Sequence, residues 1–142
     1  MTVMGAVSIR AAEDEDREHV QQLWDGCGLG RIATDEWDAL MADPSTAVLL
    51  AEDGETLVGT AVTSFDGWRA YIYHVAVDEK HRRSGVGYDL MAQAEQFLTS
   101  AGTRYVHVMV HQENTEGLAL VGSIGYLPEG EIVLTKRLAA RP

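Results

Sequence analysis

Apolar positions recur with two different periods along this chain. Alternation of apolar and polar residues predicts short strands over Val7–Arg10, Thr46–Glu52, Thr56–Phe65, about Arg69 to Val77, and Arg104–Val110. Spacings of three and four predict helices over Glu13–Trp24, Asp35–Met41, Gly85–Ala101 and Thr115–Ser123. The first carries acidic residues in its opening turn, with Val20, Leu23 and Trp24 on one face. Thr34 is the expected N-cap of the second, and Asp43-Pro44 ends it. The third has the clearest stripe, Leu90, Met91, Ala94, Phe97 and Leu98, with Gly102 as its stop. Gly26, Gly28 and Gly30 interrupt the pattern after the first helix, and Asp53-Gly54 reads as a hairpin turn. Residues Tyr126–Leu138 predict one or two closing strands, interrupted around Pro128–Gly130.

The order combines a meander in the first half with a strand–helix–strand crossover in the second. It predicts an α/β fold, a mixed sheet with helices on both faces. No repeat, low-complexity tract or linker divides the 142 residues, so a single domain over 1–142 is expected. A hydrophobic content of 46% supplies a core without staples.

Charge and cysteine content narrow the function classes. The formal net charge of −11 argues against nucleic acid or an anionic membrane as a partner, and favours a cationic or amine substrate. No apolar run reaches about 18 residues, so no transmembrane helix is expected. Met1-Thr2-Val3-Met4-Gly5 lacks the basic and apolar regions of a secretory signal. Cys27 is the only cysteine, which excludes an intramolecular disulfide and points to a reducing cytoplasm.

Against that acidic background Lys80-His81-Arg82-Arg83 stands out. A predicted strand ends at Asp78, the basic loop follows, and Ser84-Gly85-Val86-Gly87 opens the strongest helix. Most basic tetrads are solvated turns. Here the glycines and the helix N-terminus favour a phosphate cradle: free N–H groups and the positive end of the helix dipole attract an anion. Glycine lets the backbone approach, and arginine adds charge-assisted contacts.

The spacing Arg82-x-x-Gly85-x-Gly87 resembles the pyrophosphate-binding signature of the GNAT superfamily, the acyl-CoA-dependent N-acyltransferases. The resemblance runs over nearly the whole chain, through Asn114 after the fifth strand and Gly125-Tyr126 eleven residues later. Ile9-Arg10, Leu23-Trp24 and Cys27-Gly28-Leu29 resemble a subgroup of small bacterial acetyltransferases, the YpeA type. The family implies a mixed, mostly antiparallel sheet of six to seven strands, with helices on both faces and its fourth and fifth strands splayed. Pantetheine would lie in that splay, paired with the backbone of Val75, Ala76 and Val77. The N–H near Val75 would polarise the thioester carbonyl. Arg82, with the amides of Arg83, Ser84, Gly85, Val86, Gly87 and Tyr88, would hold the pyrophosphate, and Asn114 the pantetheine arm. The implied reaction is direct attack of a primary amine on acetyl-CoA in a ternary complex, with no metal. The acceptor is a small molecule or a peptide or protein N-terminus. Many members dimerise, so a homodimer is an expectation.

Two departures from the family concern proton transfer. Many members carry a tyrosine acid seven residues after the Asn, where this chain has Val121. The base is often two or four residues before the position of Val75, which gives Tyr73 and Tyr71. Period-two alternation sets both on the Val75 face. His74 has the opposite parity and reads as a packed or surface histidine unless a bulge re-aims it. His107 and His111 share a face of the fifth strand, and His111, at its end, is the better candidate. No metal site is expected from the five histidines. Trp24 is at core spacing, and Cys27 has no histidine near it in sequence to make it a nucleophile. The missing Tyr and carboxylate base leave an alternative, an acyl-CoA-binding sensor or interaction module with little catalysis. A generic nucleotide-binding domain is disfavoured by the absence of Gly-x-Gly-x-x-Gly and of a P-loop.

Overall fold

Nine elements make up the computed structural model, which describes residues 7–140. In chain order they are β1 (Val7–Ala11), α1 (Arg17–Gly26), α2 (Thr34–Ala42), β2 (Thr46–Asp53), β3 (Thr56–Phe65), β4 (Ala70–Val77), α3 (Val86–Ala101), β5 (Val106–Val108) and α4 (Thr115–Ser123). Short 3₁₀ turns precede α1 and follow β4. The strands form one sheet in the order β1-β2-β3-β4-β5. The first four are antiparallel neighbours, and β4 pairs β5 in parallel across the α3 crossover. Met1–Gly5, where no secretory signal is expected, lies outside the described residues. Among these residues no helix is long and apolar enough to cross a membrane.

Each face of the sheet has its own core. On one face Val86, Leu90, Met91, Ala94 and Leu98 of α3 and Val121 of α4 pack against Ala61, Ala70 and Ile72. On the other, Val20 and Trp24 of α1 and Trp37 of α2 cover Val48, Leu50, Val62 and Ala76. Burying each large aliphatic chain contributes about 1.5–3 kcal/mol. The stripe read from the sequence thus sets α3 on the sheet, and glycines bound it. Gly85 at its N-cap and Gly102 at its C-cap have φ of +91° and +105°. At the head of α2 the N-terminal signal works differently from the one expected. Thr34 is not the cap; the Ala33 N–H donates to Glu36 Oε1 at 2.8 Å.

The sheet has five strands, not six to seven. The stretch Tyr126–Leu138 forms no strand among the described residues. A strand exists only as half of a ladder, and alternation alone does not supply the partner. Leu127, Ile132, Val133, Leu134 and Leu138 of this stretch are all exposed. The expected strand Arg104–Val110 contracts to Val106–Val108 because it pairs only with Ala70–Ile72 of β4.

The feature that positions the rest of the molecule is a bulge in β4. Thr60 pairs Ala76 and Val62 pairs Tyr73, so a two-residue step on β3 is matched by three on β4. His74 lies within it, with φ of +49°, in the left-handed region that a non-glycine residue rarely adopts. Alternation therefore breaks. Ala70, Ile72, Val75 and Val77 pack toward α3, whereas Tyr73 and Ala76 join the core under α1 and α2. The His74 ring follows Tyr73 to that side and meets Trp24 edge-on, 4.8 Å between centroids. This overturns the expectation that Tyr73 shares a face with Val75.

The bulge is held from behind by a buried relay. Trp24 Nε1 donates to Thr60 Oγ1 at 2.9 Å, and Thr60 Oγ1 donates to the His74 carbonyl at 3.0 Å. Thr60 is fully buried, so removing its hydroxyl leaves an indole N–H and a carbonyl without that partner. Thr60→Val keeps the shape and loses the hydroxyl. It is expected to lower unfolding stability by about 2 kcal/mol in a urea titration, with Thr60→Ser losing less. Equal stability of wild type and Thr60→Val would show that the relay holds nothing.

Candidate functional site

Two concave features flank the bulged end of β4. The first is the loop between β4 and α3. His81 is held between Asp78 Oδ2, 3.1 Å from Nδ1, and Asp53 Oδ2, 3.3 Å from Nε2. The Ser84 hydroxyl donates to the His81 carbonyl. Arg83 at φ +63° and Gly85 at φ +91° turn the chain into α3. A Cβ built on Gly85 would meet no atom within 4 Å, so the turn faces open space. A preformed curl of backbone at a helix N-terminus, with room before it, has the shape and polarity to accept phosphate oxygens.

The basic side chains divide unequally. Arg82, though exposed, bends back onto the strand end: its Nε donates to the Val77 carbonyl at 3.0 Å, and Cys27 Sγ lies 3.8 Å from both the guanidinium and that carbonyl. It braces the end of β4 against α1, and it already occupies one backbone acceptor of Val77. Arg83 is exposed. Val86 is buried in the core, leaving only its backbone for a ligand. Gly87 faces α4; a Cβ there would lie 2.8 Å from Leu120 Cδ2. Its smallness serves helix packing. The Tyr88 hydroxyl lies 2.8 Å from Ser123 Oγ, which ties α3 to α4.

Beyond Ile72 and Val108, β4 and β5 no longer pair. The last link is the Met109 N–H to the Ile72 carbonyl, 3.1 Å. The edge of β4 carrying Val75, Ala76 and Val77 thus has no partner on the β5 side among the described residues. Asn114 stands past the end of β5 and caps α4, its Oδ1 accepting from the Gly117 N–H at 2.9 Å.

The second feature is a cavity of about 220 Å³ on the α1–α2 side. Trp24, Leu29, Ile32, Leu40 and Val62 give it apolar walls, and Arg31, Glu36, Tyr73 and His74 bring polar groups. His74 lies between Trp24 and Tyr73, with ring centroids 4.8 and 5.5 Å away. Burial lowers the His74 imidazole below its ordinary range; a hydrogen bond with the Leu29 backbone acts against that shift. Burial raises the Tyr73 hydroxyl, so it stays protonated at neutral pH.

The other candidates stand apart from this cavity. Tyr71 stacks on His107, its register partner on β5, at 5.3 Å. His111 is exposed, and its Nδ1 accepts from the Glu113 N–H at 3.1 Å. Val121 is buried in the core beneath α3, so a tyrosine there would overpack it. Sequence alternation set His74 aside and gave Trp24 only a packing role. A signal for the bulge was present: the aliphatic positions change parity, from Ala70 and Ile72 to Val75 and Val77.

Comparison with known proteins bears on what such a pair of sites does. Residues 7–126 match the Acetyltransferase (GNAT) family. An acetyltransferase of Yersinia pestis strain Pestoides F is 31% identical over 136 residues, covering 93% of this chain and 96% of the relative. One of Pectobacterium atrosepticum is 30% identical with the same coverage. These names do not distinguish the YpeA-type subgroup. Among solved structures, a soil-metagenome aminoglycoside acetyltransferase in complex with trehalose superposes with a TM-score of 0.81, at 19% identity, over 98% of this chain and 100% of that one. The aminoglycoside N-acetyltransferase AAC(6')-Iy in complex with CoA gives 0.75, at 19% identity, over 94% and 95%. By sequence and by fold, this chain belongs to the GNAT acetyltransferase family, whose members move an acetyl group to an amine.

Proposed function

We propose that acetyl-CoA binds along the free edge of β4, with its pyrophosphate in the Arg83–Tyr88 curl, and that a primary amine enters the cavity on the α1–α2 side. The observation that carries this reading is the bulge, which sets an open strand edge and a cavity open to solvent on the same few residues. The apolar walls suit an amine with a hydrophobic body. The net charge of −11 favours the same class of substrate.

The chemistry needs little more than alignment and one proton transfer. An ammonium is no nucleophile, so the acceptor must lose a proton before attack. The neutral nitrogen then bonds to the thioester carbonyl carbon. A backbone N–H in the Tyr73–Val75 stretch stabilises the oxygen as it gains charge. The C–S bond breaks, its electron pair leaves on sulfur, and the amide nitrogen gives up a second proton. With Val121 in the core, solvent is the proton source for the thiolate, whose ordinary pKa is about 8.5.

Gly85 is a better probe of the donor site than Gly87, whose replacement would also disturb α4. Asp and Asn both tolerate a positive φ. Gly85→Asp adds a negative charge to the curl and is expected to weaken acetyl-CoA binding about tenfold or more by calorimetry, with Gly85→Asn much less affected. Indistinguishable affinities for wild type and both variants would remove the pyrophosphate from this loop.

Thiol release from acetyl-CoA with a panel of primary amines separates an enzyme from a sensor. Saturable release with an amine bearing an apolar body is expected. Tight acetyl-CoA binding without release for any amine would instead favour a binding module.

A further inference from the structure

We infer that His74 is the general base of the acetyl transfer, taking the proton from the acceptor ammonium inside the cavity. The inference rests on the reading of that cavity as the acceptor site. Alternation set His74 opposite Val75, as a packed or surface histidine; it does stand opposite Val75, and the bulge sets Tyr73 on the same side beside it. The ring lies in the cavity wall, between Trp24 and Tyr73. The arrangement is costly to build. A non-glycine residue in the left-handed region is strained, and such strain persists where the surroundings over-determine it. Here the surroundings do: Thr60 holds the His74 carbonyl, Trp24 holds Thr60, and the Trp24 ring meets the imidazole. The same tryptophan thus fixes both the backbone and the side chain of one histidine.

The groups that share the cavity leave the role to His74. Tyr73 stays protonated, as its buried hydroxyl is raised, and Arg31 is a cation that cannot accept a proton. Glu36, on α2, already accepts from the Ala33 N–H as part of the helix start. From α1, Trp24 carries no titrating group, and the Cys27 thiol is turned to the Val77 carbonyl. From β3, Thr60 and Val62 add none. Burial keeps the imidazole neutral at pH 7, the form that can receive a proton. In the step itself R–NH3+ and neutral His74 become R–NH2 and imidazolium. The amine attacks, CoA leaves as thiolate, and the imidazolium passes its proton to solvent. The net change is ammonium plus acetyl-CoA to acetamide, CoA thiol and one proton.

His74→Asn is the variant of choice, because asparagine tolerates positive φ and the bulge can persist. The readouts are kcat/KM against pH with the best amine of the panel, and acetyl-CoA affinity by calorimetry. Wild type should rise with unit slope through a limb at or below about pH 6.5 and then level. His74→Asn should lose about 10²–10⁴ in kcat/KM at pH 7 with acetyl-CoA affinity unchanged. Its low-pH limb should vanish, leaving a rate that climbs toward the pKa of the amine itself, with partial rescue by added imidazole. Glu36→Gln should retain the imidazole limb. A His74→Asn enzyme within threefold of wild type, or one slowed equally at every pH with the limb intact, overturns the assignment. So does loss of the limb in Glu36→Gln. A wild type that binds acetyl-CoA but acetylates no amine fails earlier: it overturns the transferase reading, and the base with it.

Discussion

A single hydroxyl, that of Thr60, ties the bulge of β4 to α1 beside the cavity. It accepts from the indole of Trp24 and donates to the carbonyl of His74. Through those two bonds a helix on one face of the sheet is locked to an irregular residue in the neighbouring strand. Two features meet at the bulge. Past it the edge of β4 runs without a β5 strand partner, and beside it Tyr73 and His74 stand together on the side where the cavity forms. A regular strand would keep every second residue on each face and would part that pair.

Most of the scaffold was legible because it depends on local patterns. The period of α3, its glycine stops, the hairpin at Asp53-Gly54 and the strand–loop–helix at the phosphate curl all follow from residues close in sequence. What was not legible depends on partners distant in the chain. Whether Tyr126–Leu138 pairs is decided by an edge to pair with, and alternation is silent on that. The start of α2 falls at Ala33, where Glu36 reaches back to the Ala33 N–H, whereas a Thr34 cap would have accepted from an N–H further into the helix; only geometry chooses between them. The bulge needs Thr60 and Trp24, residues 14 and 50 positions away from His74. Sequence parity therefore set Tyr73 on the wrong face, although the shift from Ala70 and Ile72 to Val75 and Val77 recorded the break.

The site residues named from motif spacing also separate by what they do. The backbone of the curl has the open, left-handed turn that the motif suggested, because the motif encodes chain geometry. Side chains do not follow so simply. Arg82, Gly87 and Tyr88 act between elements, on Val77, Leu120 and Ser123, and Val86 fills the core. A signature of this kind describes how to build a curl as much as what the curl touches. The proposed donor half is accordingly written in short-range sequence. The proposed acceptor half is written in the helices, the loop at Leu29–Ile32 and the bulge, where small changes alter what fits.

The most direct test of this account is a crystal structure of the protein with an unreactive acetyl-CoA analogue and a bound amine. The account predicts pyrophosphate on the amides of Arg83–Tyr88, the analogue's carbonyl oxygen within hydrogen-bond distance of a backbone N–H between Tyr73 and Val75, and the amine nitrogen facing the His74 ring. A regular β4 with His74 turned toward α3, or an amine bound away from the Trp24–Tyr73 cavity, would contradict it.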